Sequence, residues 1–192
     1  MEEIEKAVEV LNNGGIVIFP TDTAFGIGCR IDKEETIERL SNMLKRPKDM
    51  ATPVLVSSID MAQEYLEPIP DNVKDKLIKK YWPGALTIVL PCKLDKVPSL
   101  VRGGGQTLGV RIPNYSKIVQ IIKEIKVPLL GTSANIHGEK TPYEHSDLSP
   151  ELIKLVDFVV SGETILKEQS TVIDCSQKPW KILREGVVKL DI

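Results

Sequence analysis

Short apolar runs alternate with amphipathic helical segments along the whole chain, and this alternation restricts the fold more than any other feature. Residues 16–19 form the first apolar run and residues 86–90 a later one, while residues 4–11 place apolar side chains at helical spacing. Interleaving of this kind predicts an α/β fold with helices packed on a sheet rather than separate α and β domains. The 192 residues contain no linker or repeat, so we expect one domain covering residues 1–192.

Cap and turn residues set the expected boundaries of these segments. Asp32 and Glu35 predict an N-cap pair for the second helix, and Ser58 or Asp60 predicts the cap of the third. A further helix over about 71–81, rich in exposed lysines, ends at a Trp-Pro-Gly break, and another covers residues 118–125. The predicted strands are 16–19, 53–56, 86–90, 108–112, 128–130, about 158–160 and 171–173, with a final pair around Ile182 and Val188.

Charge and cysteine usage exclude several classes of protein. The 25 Lys and Arg against 27 Asp and Glu give a net charge of -2, which provides no global attraction to nucleic acid or to an anionic membrane. The apolar runs are far shorter than the roughly 18 residues that a membrane helix needs, and the acidic N-terminus contradicts a signal peptide. We therefore expect a cytoplasmic protein with no membrane role. Cys29, Cys92 and Cys175 are too far apart for a disulfide framework or a C-x-x-C motif, so we expect thiols that pack.

Familiar nucleotide and hydrolase motifs are absent. The Gly103–Gly105 run lacks the Lys-Ser/Thr ending of a P-loop, and residues 131–135 do not form a G-x-S-x-G elbow. His137 and His145 lie in a polar loop and are expected to be solvated. No covalent nucleophile and no metal-ligand cluster is expected.

Polar and cationic residues do follow several of the predicted strands. Arg111 is the most informative, because a guanidinium seldom sits inside an apolar strand without an anion; this favours a ligand over an internal salt bridge. Arg46, near a helix end, and Arg184, at the end of a late strand, supply further cations. Arginines gathered with Thr and Ser hydroxyls suit a reaction driven by positioning and charge neutralisation on phosphates and carboxylates.

The order of the motifs resembles the YrdC/Sua5 family from about residue 3 to residue 190. The motifs that carry the resemblance are GGIVIFPTDT at 14–23, Arg46-Pro47, WPGALT at 82–87, VRIP at 110–113, GTSAN at 131–135, STVID at 170–174 and LREG at 183–186. The resemblance implies a twisted open sheet around a concave, positively charged cavity, in the short single-domain form of the family. It implies L-threonylcarbamoyladenylate synthase activity, in which L-threonine, bicarbonate or CO₂, and ATP give threonylcarbamoyl-AMP and pyrophosphate.

The resemblance also implies partners and residue roles. A tRNA threonylcarbamoyl-transferase machinery would use the product at adenosine 37 of ANN-decoding tRNAs, tRNA or double-stranded RNA binding is a family property, and Mg²⁺ would accompany ATP, held mainly by phosphates. Charge stabilisation falls to Arg46 and Arg184. The residues implied for L-threonine are Thr23, Leu55, Arg111, Gly131 and Ser170. Those implied for ATP are Arg46, Thr107, Ser133, Asn135, Thr141 and Arg184.

Two departures from the family pattern leave alternatives open. Leu44 and Met50 stand where the family usually has lysines, and Lys45 and Lys48 are candidate compensating cations that could equally point to solvent. A non-catalytic RNA- or nucleotide-binding protein is therefore the second hypothesis. Carbamoyl transfer, known for a related domain in hydrogenase maturation proteins, is the third.

Overall fold

The fold described here is a computed structural model, which describes residues 2–191. The helices are α1 (Glu2–Asn12), α2 (Glu34–Met43), α3 (Ile59–Tyr65), α4 (Asp71–Val73), α5 (Lys79–Tyr81), α6 (Ser116–Ile125) and α7 (Pro150–Leu155). A π-helical turn (Lys74–Ile78) joins α4 to α5, and a 3₁₀ turn (His145–Asp147) precedes α7. None of the helices within residues 2–191 is long and apolar enough to cross a membrane.

The described part of the chain contains ten strands, which form two open sheets. They are β1 (Val17–Pro20), β2 (Phe25–Gly28), β3 (Val54–Leu55), β4 (Leu86–Pro91), β5 (Thr107–Arg111), β6 (Leu129–Leu130), β7 (Thr132–Ser133), β8 (Phe158–Val159), β9 (Thr171–Asp174) and β10 (Lys181–Arg184). The four-stranded sheet has the order β7-β2-β1-β8, and the six-stranded sheet has the order β10-β9-β4-β5-β3-β6. Both sheets mix parallel and antiparallel pairs. The predicted α/β class is confirmed, with the strands divided between two sheets.

Strand β1 is buried on both faces and separates two apolar clusters. Alternate side chains of a strand point to opposite sides, so Ile18 packs into the larger cluster while Val17 and Phe19 pack into the smaller one. Helices α1 and α6 cover the smaller cluster with apolar residues at helical spacing: Ala7, Leu11, Ile118, Ile121, Ile122 and Ile125. Burial on both sides makes β1 a rigid base for the turn that follows it at residue 21.

Two local predictions were wrong. The N-cap of α2 is Lys33, with no side-chain cap, because the Asp32 carboxylate instead accepts hydrogen bonds from Arg30 Nε (2.9 Å) and Nη2 (2.7 Å). Val188 lies outside any strand; its N–H donates to the Thr171 hydroxyl, 3.1 Å away, and its carbonyl accepts from that hydroxyl at 2.7 Å. The cap at Ser58 is confirmed, since its Oγ accepts from Met61 N at 3.1 Å.

Candidate functional site

A cavity of about 460 Å³ lies between the two sheets. Strands β2 and β7 of the four-stranded sheet face it, as do β3, β4, β5, β9 and β10 of the six-stranded sheet. It brings together nearly all the residues expected at the site. Those that line it are Thr23, Leu55, Arg111, Gly131 and Ser170 from the threonine set, and Arg46, Thr107, Ser133, Thr141 and Arg184 from the ATP set.

Arg111 is buried in the wall of this cavity, 6% exposed, with all three of its nitrogens donating. Nε donates to Gly84 O (2.9 Å), Nη1 donates to the Thr23 hydroxyl (2.8 Å), and Nη2 donates to the Asp22 carboxylate. An internal ion pair, which the sequence favours less than a ligand, is therefore present. Burial lowers the pKa of Arg111, while the neighbouring Asp22 carboxylate acts in the opposite direction.

The turn after β1 orients Thr23 toward Arg111. The Thr21 hydroxyl accepts from Thr23 N (3.1 Å) and Ala24 N (3.2 Å) and donates to Ala24 O (2.7 Å). These bonds fix a tight turn directly after a buried strand, where a Thr side chain can satisfy backbone groups locally. The hydroxyl of Thr23 is consequently held within hydrogen-bond distance of the guanidinium.

The adjacent strands β5, β3 and β6 bring Leu55 and Gly131 close to Arg111. Leu55 on β3 pairs in register with Arg111 on the parallel strand β5 and with Leu129 on the antiparallel strand β6. Gly131 is the single residue between β6 and β7, where the chain crosses from the six-stranded to the four-stranded sheet. A Cβ on Gly131 would lie 2.8 Å from Leu55 Cγ, so the close approach at this crossing requires glycine.

Arg46 and Arg184 enter the cavity from different elements, and neither pairs with a carboxylate within residues 2–191. Arg46 Nη1 donates to the Thr132 hydroxyl (3.0 Å) and Nη2 to Ala51 O (3.3 Å), whereas its buried Nε has no acceptor in the described part of the chain. Burial lowers the pKa of both guanidinium groups. Arginine remains protonated at neutral pH even so, and both side chains therefore provide positive charge.

Ser170 links the two sets of residues. Its hydroxyl accepts from Arg184 Nη2 (2.9 Å) and lies 3.1 Å from the Thr87 hydroxyl, while its carbonyl accepts from Arg184 Nε (3.0 Å). Thr87, on β4, has no role in the sequence analysis, although it belongs to one of the motifs. Its position depends on the parallel pairing of β4 with β9, which the sequence does not specify.

Asn135 does not line the cavity. Its Nδ2 donates to Ile136 O (3.0 Å) and Glu139 O (2.9 Å), so it shapes the loop after β7, and its Oδ1 is buried without a partner within residues 2–191. Asn135 therefore holds the loop that follows Ser133, and its expected contact with ATP stays a prediction.

The two positions at which this chain lacks an expected lysine differ in their surroundings. Leu44 is fully buried in the larger apolar cluster and does not line the cavity, whereas Met50 lines it and is 39% exposed. Neither candidate compensating cation reaches the cavity: Lys48 pairs with Glu38 at 3.1 Å on the surface, and Lys45 is absent from the lining. Met50 is thus the position at which this cavity departs from the expected pattern.

Comparison with known proteins identifies relatives along almost the whole chain. The chain is 30% identical over 185 residues to threonylcarbamoyl-AMP synthase of Bacillus subtilis, covering 96% of this chain and 53% of that protein. The structure of Pyrococcus abyssi Sua5 complexed with L-threonine superposes with a TM-score of 0.87 at 30% identity, over 95% of this chain and 54% of that one. Escherichia coli YciO superposes with the same TM-score of 0.87 at 26% identity, over 99% of this chain and 92% of that one.

The similarity covers only part of the length of some relatives. The chain spans about half the length of the curated relatives it matches first. A family model for the Sua5/YciO/YrdC domain, described as telomere recombination, matches residues 9–186. The chain therefore belongs to the Sua5/YciO/YrdC family.

Proposed function

We propose that this protein is an L-threonylcarbamoyladenylate synthase, an enzyme of the nucleotidyltransferase type. The observation that carries the proposal is the hydrogen bond from Arg184 to Ser170, because it joins the residues expected at the amino acid to those expected at ATP within one cavity. The names of the relatives support the same activity, and one relative was solved with L-threonine bound.

The amino-acid end of the cavity is built around Arg111. A guanidinium has five N–H donors, and three of them are already used by Gly84, Thr23 and Asp22. One N–H on each Nη therefore remains for a carboxylate, which an arginine fork can bind through two oxygens at once. Because three partners already hold Arg111, it can receive the threonine carboxylate without first being ordered.

The nucleotide end relies on Arg46 and Arg184. The threonine amine adds to CO₂, formed by dehydration of bicarbonate, and loses a proton to give a carbamate. A carbamate oxygen then forms a bond to the α-phosphorus of ATP while the bond from that phosphorus to the bridging oxygen breaks and pyrophosphate leaves. Two guanidinium groups that have no carboxylate partner within residues 2–191 would neutralise the charge that develops on the phosphates.

Mg²⁺ enters the proposal only as the companion of the triphosphate. Among residues 2–191 no cluster of three His, Cys, Asp or Glu side chains could hold a metal ion. The cavity lining contains one carboxylate, Asp174, and its Oδ1 already accepts from Ser176 N at 2.8 Å. The side chains thus do not fit a protein-held magnesium site, and no step of the reaction is assigned to the metal.

In this proposal, threonylcarbamoyl-AMP is the substrate of a tRNA threonylcarbamoyl-transferase that modifies adenosine 37. The proposal also places the protein in the cytoplasm. Threonylcarbamoyl-AMP is a mixed anhydride, so its threonylcarbamoyl group is activated for transfer to an amine. Binding of tRNA or double-stranded RNA by this chain stays a prediction that follows from its resemblance to the YrdC/Sua5 family.

Pyrophosphate release is the direct test. Purified protein is incubated with Mg-ATP and labelled bicarbonate, with and without L-threonine, and with L-serine as a comparison. We expect pyrophosphate and a labelled adenylate only when a suitable amino acid is present, and strong loss of both in Arg184→Ala. Binding of ATP with no threonine-dependent pyrophosphate, even at enzyme concentrations near those of the substrate, would contradict the proposal and support the non-catalytic alternative.

A further inference from the structure

A second cavity, of about 580 Å³, lies between the helical segment 71–81 and the turn that joins β9 to β10. We call it the lysine–tryptophan groove and define it by the residues used below: Lys76, Lys80, Tyr81, Lys178, Trp180 and Asp191. None of its lining residues also lines the cavity between the sheets. The exposed lysines of segment 71–81, which the proposed function does not use, thus border a concave surface.

The groove is locally cationic although the whole chain carries a net charge of -2. Lys76, Lys80 and Lys178 form no ion pair within residues 2–191, whereas their neighbours Lys74 and Lys79 are paired with Asp71 (3.2 Å) and Asp75 (2.6 Å). Asp191 is the one carboxylate in the described lining. Three lysine charges against one carboxylate favour an anionic ligand.

Two aromatic side chains border the same groove. Tyr81 and Trp180 are partly buried and pack against the larger apolar cluster, which fixes their positions. The buried Trp82 donates its indole N–H to Leu86 O at 2.7 Å, whereas the Trp180 indole N–H has no acceptor in the described chain. Lys76 lies in the π-helical turn, a type of turn that occurs frequently at functional sites.

We propose that the lysine–tryptophan groove binds a nucleotide unit. The planar base would stack on Trp180 or Tyr81, and the phosphate would bind among Lys76, Lys80 and Lys178. A groove of this volume accommodates a ligand of nucleotide size. A free nucleotide and one unit of a single-stranded nucleic acid both present this chemistry, and the site is independent of the cavity between the sheets.

Tryptophan fluorescence provides a local probe of this binding. The chain has two tryptophans, and Trp82 is only 9% exposed, so quenching by a stacked base reports mainly on Trp180. The full chain is titrated with AMP and, separately, with a single-stranded hexa-adenylate. We expect saturable quenching by at least one of them, and loss of most of that signal in Trp180→Phe.

Charge-matched variants locate the site. The double variant Lys76→Ala with Lys80→Ala should weaken binding at least about tenfold, since it removes two phosphate contacts. The control, Lys74→Ala with Lys79→Ala, removes the same charge from the same segment but outside the groove, and its affinity should stay within about twofold of the original.

The outcomes distinguish a free nucleotide from a nucleic-acid strand as the ligand, and they separate binding at this groove from the proposed synthase activity. Equal affinity per site for AMP and the oligonucleotide indicates a free nucleotide, whereas tighter, strongly salt-dependent binding of the oligonucleotide indicates a strand. Arg184→Ala should abolish pyrophosphate release and leave the quenching titration unchanged. If neither probe gives saturable quenching, or if the two double-lysine variants weaken binding equally, the proposal is overturned.

Discussion

Arg111 donates through Nη2 to the Asp22 carboxylate, and both side chains are buried, so the most central cation of the cavity carries its own counter-ion. The second carboxylate oxygen of Asp22 is buried without a partner within residues 2–191. Asp22 and Thr23 therefore hold the guanidinium from one side, and Gly84 O holds it from another.

Arg111→Ala should reduce the free energy of unfolding by about 3–5 kcal/mol, because it leaves the Asp22 carboxylate buried and unpaired. Urea denaturation monitored by circular dichroism measures this loss. Stability equal to that of the parent protein would show that the pair contributes nothing to the fold.

A paired replacement separates stability from recognition. Asp22→Asn combined with Arg111→Met removes both charges and should recover much of the lost stability, because breaking a buried pair costs more than replacing it. Calorimetric titration should nevertheless detect no threonine binding. If the double variant still binds threonine with the parent's affinity, the group that binds the threonine carboxylate is not Arg111 and lies elsewhere in the cavity.

Arg46→Ala and Arg184→Ala should each raise the Kd for ATP roughly tenfold to a hundredfold, the effect of losing a charged hydrogen bond worth about 1.5–3 kcal/mol. Threonine affinity should change less in Arg46→Ala than in Arg184→Ala, because Arg184 also holds the Ser170 hydroxyl. Lys48→Ala is the control, since Lys48 lies outside the cavity and pairs with Glu38. Equal effects from all three variants would indicate a nonspecific charge effect.

Met50→Lys should increase ATP affinity, because it places a cation in a cavity wall where this chain has an apolar side chain. An increase of about tenfold is expected if the ammonium reaches a phosphate. Leu44→Lys, in contrast, should destabilise the protein strongly, since it buries a charge in the apolar cluster. Weaker ATP binding in Met50→Lys would mean that the triphosphate does not pass residue 50.

Glu3 should make stability depend on pH in the acid range. Burial opposes ionisation, but hydrogen bonds from Lys117 Nζ and Ser161 N, both 2.7 Å, outweigh it and lower the pKa of Glu3 from 4.5 to about 2. The unfolded state then binds the proton more tightly, so this contribution is complete above about pH 4.5 and is lost as pH falls toward 2. The stability difference between the parent and Glu3→Gln, measured by denaturation, should shrink over that interval. A difference that does not change with pH would contradict the assignment.

Local patterns in the sequence predict most of the elements but not their assembly. The isoleucines of α6 predict that helix because their spacing alone places them on one face. The division into two sheets depends on pairing between distant segments, and strands as short as β3 and β6 carry too little pattern to specify their neighbours. The crossing of the chain between the sheets at Gly131 follows only from those pairings.

The same distinction holds for the candidate site. Arg111 predicts a counter-charge because a guanidinium seldom lies unpaired in an apolar strand, and the sequence favours a ligand in that role; the pairing with Asp22 becomes visible only in the fold. Leu44 and Met50 are both substitutions at expected lysines, and only burial separates them. Thr87 needs the β4–β9 pairing before its hydroxyl can meet Ser170.

The placement of the cavity between two sheets has an energetic consequence. A substrate that contacts both sheets would stabilise the folded state, because its binding free energy depends on the two sheets being in place. Binding of threonine or ATP would fix the distance between the sheets, so the second substrate would bind with higher affinity than it does alone.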